Sequence, residues 1–237
     1  MKILFAGSPK PSSEVLEYIS KNTPHVVVGV ITQPNNPNIP TSHMNVRLFC
    51  ILDKNKRIKD WWIGGGYDLT PYIIFNEDID LWHSEAKESL RPYNKKYYDS
   101  FSQNCNDYFY IPHRKERRGV GGIFFDNTKH ISIEKSIEML AAIAQSYANS
   151  YSEIIKRRTK TPFFKEDKEF QSLRRGRYVE FNLVNDRGTA FGLQSNGRIP
   201  SILASLPLNA SWKYKKDKIM ELREKKLIKN INRDWNV

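Results

Sequence analysis

Apolar and polar positions follow different patterns along the chain, and each pattern predicts a different element. Residues 2–7 and the fully apolar residues 26–32 have the length and composition of short buried strands. Between them, residues 12–20 follow Pro11 and a serine cap, which predicts a helix. Continuous rather than alternating apolar runs favour a parallel strand pair covered on both faces. The sequence therefore predicts a strand–helix–strand unit at the N-terminus.

After Pro40 the pattern changes to aromatic and β-branched segments broken by turns, with one clear helix in the middle. The helix is predicted by apolar residues that advance by three or four positions: Ile133, Ile137, Leu140, Ala144, Tyr147, Tyr151 and Ile154. The charged residues 156–168 include Pro162 and are predicted to be a surface connection. Residues 177–184 follow, and their alternation from Tyr178 onwards predicts a strand.

Composition places the chain among soluble globular proteins. Its 237 residues are 39% hydrophobic and 27% charged, and the longest apolar run, residues 26–31, is too short to span a bilayer. Cys50 and Cys105 cannot form a disulfide framework, and we expect both to be core or near-core thiols in a reducing compartment. These features predict a cytoplasmic protein without stable membrane insertion.

The formal net charge of +12 suits an acidic partner, for which nucleic acid is the usual candidate. The cations are scattered, however, and the densest group, in residues 213–229, is explained by a solvated helix face or tail. We therefore expect no nucleic-acid partner, and a small polyanionic substrate would use part of the charge.

The first segment with candidate chemistry is residues 40–48. The period of a strand places His43, Asn45 and Arg47 on one face and Met44, Val46 and Leu48 on the other. An imidazole that titrates near neutrality can exchange a proton, and a guanidinium can hold a carboxylate with two hydrogen bonds. A plain solvent-facing strand fits the same spacing, so both interpretations stay open.

Residues 61–71 carry three consecutive glycines, Gly64 to Gly66, shortly before Asp68. Glycines allow a backbone to approach a ligand closely, but they also form tight hairpin turns. The segment lacks the Gly-Lys-Ser/Thr of a phosphate loop, so nucleotide binding is a poor interpretation. Residues 186–198 contain an acid, two arginines and three glycines, which suits the binding of carboxylates or a surface turn with paired charges.

Two stretches near the N-terminus, residues 5–9 and 28–34, resemble the opening of methionyl-tRNA formyltransferase. The resemblance covers only residues 1–34. The rest of a doubly wound domain, with the catalytic asparagine, histidine and aspartate of that enzyme, is not found after Pro34. We therefore do not expect formyltransferase activity.

The remainder of the chain, residues 33–237, resembles oxygen-dependent coproporphyrinogen-III oxidase. Seven segments carry the resemblance in order: residues 40–47, 61–71, 108–114, 118–126, 174–184, 186–189 and 201–207. The resemblance implies an α+β fold, with a large antiparallel sheet flanked by helices, and a homodimer. It also implies oxidative decarboxylation of coproporphyrinogen III to protoporphyrinogen IX in haem biosynthesis. Molecular oxygen is then the co-substrate, and no flavin or nicotinamide cofactor is required.

The resemblance also implies roles for individual residues. His43 corresponds to the proposed proton donor, and Asp68 and Asp186 are candidate catalytic acids that face the pyrrole nitrogens. The residues implied to bind substrate are Asn45, Val46, Arg47, Arg187, Asn196, Gly197 and Arg198. Where the family tends to have Thr-Gly-Gly, this chain has Ser195-Asn196-Gly197, and asparagine tolerates the positive φ of such a turn.

Some bacterial members of the family have been assigned a divalent metal held by four histidines. His43, His83 and His113 occupy three of those positions, and Gln33 stands at the fourth. A divalent metal is therefore not expected to be required. Structural roles for His83 and His113 remain an alternative.

The first 32 residues replace a longer N-terminal part of the family, so the sequence predicts a foreign segment, 1–32, and an oxidase-like domain, 33–237, that lacks this part. Two functions are left open. One is the active oxidase, whose catalytic residues are present. The other is an inactive remnant that binds porphyrinogen or forms dimers without turnover.

Overall fold

The computed structural model of the chain describes residues 2–6, 26–31 and 35–235. Some of these residues form helices and others form antiparallel strands, which confirms the predicted α+β class. The chain divides into two compact units. Unit 1 contains residues 1–37 and 163–220, and unit 2 contains residues 38–162 and 221–237. The different origins predicted for residues 1–32 and 33–237 stay a prediction.

The two N-terminal strands of unit 1 form as predicted. Strand β1, Lys2–Ala6, pairs in parallel with β2, Val26–Ile31. The predicted helix at residues 12–20 lies outside the described residues. The described part of the strand–helix–strand prediction is therefore confirmed.

Unit 2 is built on an antiparallel sheet of three strands. They are β3, Thr41–Leu52; β4, Ile58–Thr70; and β7, Gly121–Thr128, with β4 in the centre. A separate ladder pairs β5, Tyr110–Ile111, with β6, Glu116–Arg117. The described sheet is therefore small, and the large sheet that the resemblance implies is not confirmed.

The first stretch of unit 2, residues 38–162, contains three helices: α1, Asn76–Leu90; α2, Tyr97–Tyr108; and α3, Ile133–Thr159. Helix α3 is the one that the apolar spacing predicts. It begins where the Ser132 side chain accepts a hydrogen bond from the Lys135 backbone N–H, and it buries Ile143, Tyr147 and Ile154 on one stripe. Because it continues to Thr159, the predicted surface connection shortens to residues 160–164.

Aromatic side chains join the sheet of unit 2 to its helices. The rings of Tyr67 on β4 and Trp82 on α1 meet edge to face, 4.6 Å between centroids. Tyr147 on α3 lies 5.7 Å from Tyr67, and the Tyr67 hydroxyl is 2.9 Å from the Ser146 hydroxyl. One face of β4 is thus a rigid part of the core, so its residues on the opposite face are held in fixed positions.

The three consecutive glycines lie inside β4 and not in a hairpin turn, so the turn interpretation is wrong. A Cβ on Gly66 would lie 2.0 Å from the Ile123 carbonyl oxygen, and one on Gly65 would lie 2.6 Å from the Asn45 carbonyl oxygen. These two glycines are required because both neighbouring strands approach β4 too closely for any side chain.

Unit 1 also contains α4, Lys165–Val184; α5, Arg187–Gln194; and the short α6, Ile199–Ile202. The predicted strand at residues 177–184 is wrong, because these residues form the second half of α4. Their alternation resembles a strand locally, but Phe170, Tyr178 and Phe181 are buried with the spacing of a helix stripe. The Asp167 carboxylate accepts a hydrogen bond from the Phe164 N–H and begins the helix.

The basic residues near the C-terminus lie partly on α7, Lys218–Ile231. This helix buries Leu227 and Ile231 and exposes Lys225, Lys226 and Lys229. These lysines form a solvated helix face, as predicted. Within the described ranges, the structure contains no helix that combines the length and the apolar character needed to cross a membrane.

The two cysteines differ in their environments. Cys105 is buried, and burial raises the pKa of its thiol well above the ordinary value, as expected for an inert core residue. Cys50 is exposed, so its predicted place in or near the core is wrong. It lies on the outer part of β3, where every residue from Asn45 to Leu52 is exposed.

Candidate active site

Strands β3 and β4 bring the predicted site residues of unit 2 together. Their antiparallel register places His43 opposite Asp68, Asn45 opposite Gly66 and Arg47 opposite Gly64. Directly opposed residues project from the same face of a sheet. The predicted polar face of β3 therefore lies beside a row on β4 in which two of the three positions have no side chain.

This glycine row gives the face a specific shape. His43 is half-buried, and Asn45 and Arg47 are exposed along one side of the row. A ligand on this face would meet an imidazole, an amide and a guanidinium, and the glycines beside them are buried. The glycine triplet was singled out in the sequence for close backbone approach to a ligand, and that interpretation stays a prediction, because the register shows only the approach of the neighbouring strands.

Asp68 is held by a residue to which the sequence assigned no role. Its Oδ2 accepts a hydrogen bond from Arg118 Nη2 at 2.6 Å, and both side chains are about 95% buried. The Arg118 guanidinium also lies 3.9 Å from the centroid of the Phe109 ring. The signal available in the sequence was an arginine directly before the glycine-rich residues 119–122, but its partner Asp68 is 50 residues away in the chain.

Arg47 also has a partner that the sequence did not indicate. Its Nη2 lies 3.6 Å from Oδ1 of Asp126 at the far edge of the sheet, on β7. The pair reaches across Gly64 on the central strand. Both side chains are partly exposed, so the guanidinium can still be reached by a ligand.

Val46, the remaining predicted binding residue of unit 2, lies between Asn45 and Arg47 on β3, and its side chain is exposed. Strand alternation directs it to the opposite face of the sheet from His43 and Arg47. The register pairs it with Gly65. Any contact of Val46 with a ligand above the glycine row would therefore come from its backbone.

The other predicted site residues belong to unit 1. Asp186 caps α5: its carboxylate accepts hydrogen bonds from the Thr189 backbone N–H at 2.7 Å and from the Thr189 hydroxyl at 2.8 Å. Arg187, the first residue of α5, and Arg198, which precedes α6, are exposed. Asp186 thus has a helix-capping role that the sequence did not reveal.

The turn between α5 and α6 adopts the backbone that the sequence predicts. Asn196 has a positive φ of 54°, which asparagine tolerates better than most residues. The next residue, Gly197, donates its backbone N–H to the Gly192 carbonyl at 3.0 Å. Asn196 therefore has the positive φ expected of it, and the likeness of this turn to that of the family stays a prediction.

The histidines considered as metal ligands are in unlike environments. His83 is buried, with Nε2 3.1 Å from the Val120 carbonyl and Nδ1 3.0 Å from the Tyr98 hydroxyl. A carbonyl only accepts, so Nε2 carries the proton and Nδ1 accepts from the hydroxyl. Both nitrogens are used within the core. His83 therefore does not fit a metal ligand.

His113 is exposed in the turn between β5 and β6, and His43 lies on β3. The fourth position, Gln33, lies outside the described residues. Among residues with described positions, no three histidine, cysteine, aspartate or glutamate side chains are grouped closely enough to bind a metal ion. The side chains that can be placed do not fit the four-histidine arrangement.

The buried His83 should make stability depend on pH. Burial lowers its pKa from 6.5 to about 4, so the folded protein binds the proton less well than the unfolded chain. The stabilisation is complete above pH 6.5 and is lost as pH falls toward 4. Between pH 7 and pH 5 we expect the free energy of unfolding to fall by about 2 kcal/mol from this group.

Urea unfolding of the wild type and of His83→Gln at both pH values measures this effect. A glutamine amide can donate to Val120 and accept from Tyr98 without titrating. The variant should therefore lose about 2 kcal/mol less than the wild type between the two pH values. Equal losses in the two proteins would show that His83 is not buried in its neutral form.

The arrangement on unit 2 combines an imidazole, a guanidinium that can bind a carboxylate and two adjacent positions on β4 without side chains. A model of the family described as coproporphyrinogen III oxidase matches residues 11–236, which is almost the whole chain. The match includes most of the first 32 residues. The likeness of residues 1–34 to methionyl-tRNA formyltransferase stays without support.

Proposed function

Because the chain belongs to the coproporphyrinogen III oxidase family, we propose that it catalyses the oxygen-dependent oxidative decarboxylation of coproporphyrinogen III to protoporphyrinogen IX. The family supports a role in haem biosynthesis. The single observation that carries the proposal within the site is the register of β3 and β4. It sets His43, Asn45 and Arg47 beside Asp68 and a row of glycines.

The proposed substrate suits this face chemically. It is a broad macrocycle with four propionates. It therefore needs a wide surface with few projecting side chains, and it needs cations at the rim of that surface. The absence of a side chain at Gly64 lets the Arg47 guanidinium lie over the central strand, where it supplies a cation for one propionate. A guanidinium fork binds a carboxylate with two parallel hydrogen bonds, and these orient the ligand as well as hold it.

The reaction removes one carbon dioxide and two hydrogen atoms from each of two propionates and leaves two vinyl groups. Each pair of hydrogen atoms reduces one molecule of oxygen to hydrogen peroxide, so atoms and electrons balance without another acceptor. We assign His43 to the proton transfer that accompanies this step, because an imidazole exchanges protons near neutral pH. No resident metal or organic cofactor has a part in this proposal.

Asp68 is proposed to orient the pyrrole N–H groups of the substrate. Its ion pair with Arg118 uses Oδ2, and carboxylate oxygens accept hydrogen bonds from N–H donors. Arg118 therefore supports the site through Asp68. Asp186 in unit 1 is proposed to have a similar role, and Arg187, Asn196, Gly197 and Arg198 are proposed to bind the remaining propionates.

We also propose that the chain forms a homodimer. The end of the β3–β4 hairpin exposes large apolar side chains on both of its faces: Leu48, Phe49, Ile51, Leu52 and Ile58. Apolar side chains grouped in this way mark association surfaces in soluble proteins. A second copy of the chain offers the same hairpin and can cover both faces through two-fold symmetry.

The conversion assay tests the proposed function. Purified protein, treated with a chelator and given coproporphyrinogen III in air, is expected to form protoporphyrinogen IX without any added cofactor. Heat-treated protein is the control, and the product is identified by chromatography after oxidation to the fluorescent porphyrin. Binding of the substrate without any vinyl product would instead identify a porphyrinogen-binding protein, and restoration of activity by a divalent ion would show that a metal is needed.

A further inference from the structure

The guanidinium of Arg47 lies directly over Gly64 on the neighbouring strand. A Cβ on Gly64 would lie 3.2 Å from Nη2 and 3.4 Å from Nε of Arg47, and 2.8 Å from Oδ1 of Asp126. The arginine and the aspartate therefore use the space that any side chain at position 64 would fill. Their own separation, from Nη2 to Oδ1, is 3.6 Å.

Gly64 differs in this respect from the two glycines that follow it. A Cβ on Gly65 or Gly66 would meet backbone atoms of the adjacent strands, so the sheet itself requires those glycines. The three nearest atoms around Gly64 all belong to the ends of two flexible side chains. The sheet could accommodate alanine at position 64, but Arg47 and Asp126 could not keep their present positions.

We propose that Gly64 and Asp126 are positioning residues for Arg47, which they hold flat across the central strand so that its free edge meets a substrate carboxylate. The inference rests on the proposed function of Arg47. Asp126 engages Nη2 at one end of the fork. The guanidinium has five N–H donors in a rigid plane, so donors remain for the ligand.

If Asp126 instead competed with the substrate for Arg47, the opposite effect on binding affinity would be expected. If the carboxylate only competed with the substrate for Arg47, its removal would strengthen carboxylate binding. If it positions the guanidinium, its removal leaves a mobile side chain and weakens binding. Because the pair is partly exposed, we expect an effect of about threefold to fivefold on affinity.

The test measures the affinity of coproporphyrin III, the oxidised and unreactive tetracarboxylate, by fluorescence quenching. Asp126→Asn and Gly64→Ala should each weaken binding about threefold to fivefold and raise KM while kcat changes little. Asp126→Glu should recover part of the affinity. In an Arg47→Ala background, Asp126→Asn should have no further effect, because the two residues act through one contact.

Two controls make the result specific. Asp60→Asn removes a carboxylate on β4 that pairs with Lys129, the residue after β7, and it should leave binding unchanged. The tetramethyl ester of the porphyrin has no carboxylate, so its affinity should not respond to any of these changes. Circular dichroism shows whether each variant folds. If Gly64→Ala does not fold, the positioning role is tested with Asp126→Asn alone.

Unchanged or tighter binding in Asp126→Asn, with clearly weaker binding in Arg47→Ala, would overturn the positioning role and leave the proposed function intact. A wild-type protein that does not bind coproporphyrin III would overturn the proposed function itself. Equal weakening of the acid and the ester would show that the substitutions damage the surface generally, which also contradicts the positioning role.

Discussion

Replacing Arg118 with methionine is expected to destabilise the protein by about 3–5 kcal/mol, because it leaves the buried Asp68 carboxylate without its counter-ion. Both side chains are about 95% buried, and the contact is 2.6 Å long. Transfer of an uncompensated carboxylate into such a site costs far more than a lost surface contact. Urea unfolding at pH 7 measures the change in free energy.

Arg91→Met is the matched control, because Arg91 pairs with Glu88 on the surface and both side chains are more than 60% exposed. It should cost less than about 1 kcal/mol. The double variant Asp68→Asn/Arg118→Met should recover part of the stability, since it removes both charges. Similar small losses in the Arg118 and Arg91 variants would contradict a buried, mutually dependent pair.

Replacing His43 with alanine is expected to reduce kcat by about a hundredfold to ten-thousandfold while binding of coproporphyrin III changes little. A proton donor acts mainly in the transition state, whereas the substrate carboxylates are proposed to be bound by arginines. His43 is half-buried opposite Asp68. Steady-state rates and fluorescence quenching, measured on one preparation, separate the two effects.

His130→Ala provides the control for this prediction, because His130 is an exposed histidine in the loop after β7. Its kcat should equal that of the wild type. If His43→Ala weakens binding as strongly as it slows turnover, then His43 holds the substrate. If it changes neither, then proton transfer is carried by another group.

The sequence predicts best those features that depend on local periodicity. Helix α3 follows from its apolar stripe, and the face shared by His43, Asn45 and Arg47 follows from the two-residue period of a strand. The pair β1–β2 follows from two short, continuous apolar runs. In each case neighbouring residues contain the information that decides the structure.

Local patterns fail where distant packing decides the structure. The alternation after Tyr178 predicts a strand, but buried positions that begin at Phe170 make these residues part of a helix. The glycine triplet is compatible with a turn until β3 and β7 are known to lie on both sides of it. The partners Asp68 and Arg118 cannot be matched from sequence, because many acids and bases have similar spacing.

The oxygen balance of the reaction tests the proposed function most directly. In an anaerobic chamber the protein should bind coproporphyrinogen III and form no vinyl product. Stepwise addition of oxygen should then yield one vinyl group, one carbon dioxide and one hydrogen peroxide for each oxygen molecule consumed. Formation of protoporphyrinogen IX without oxygen, or oxygen consumption without release of carbon dioxide, would contradict the account.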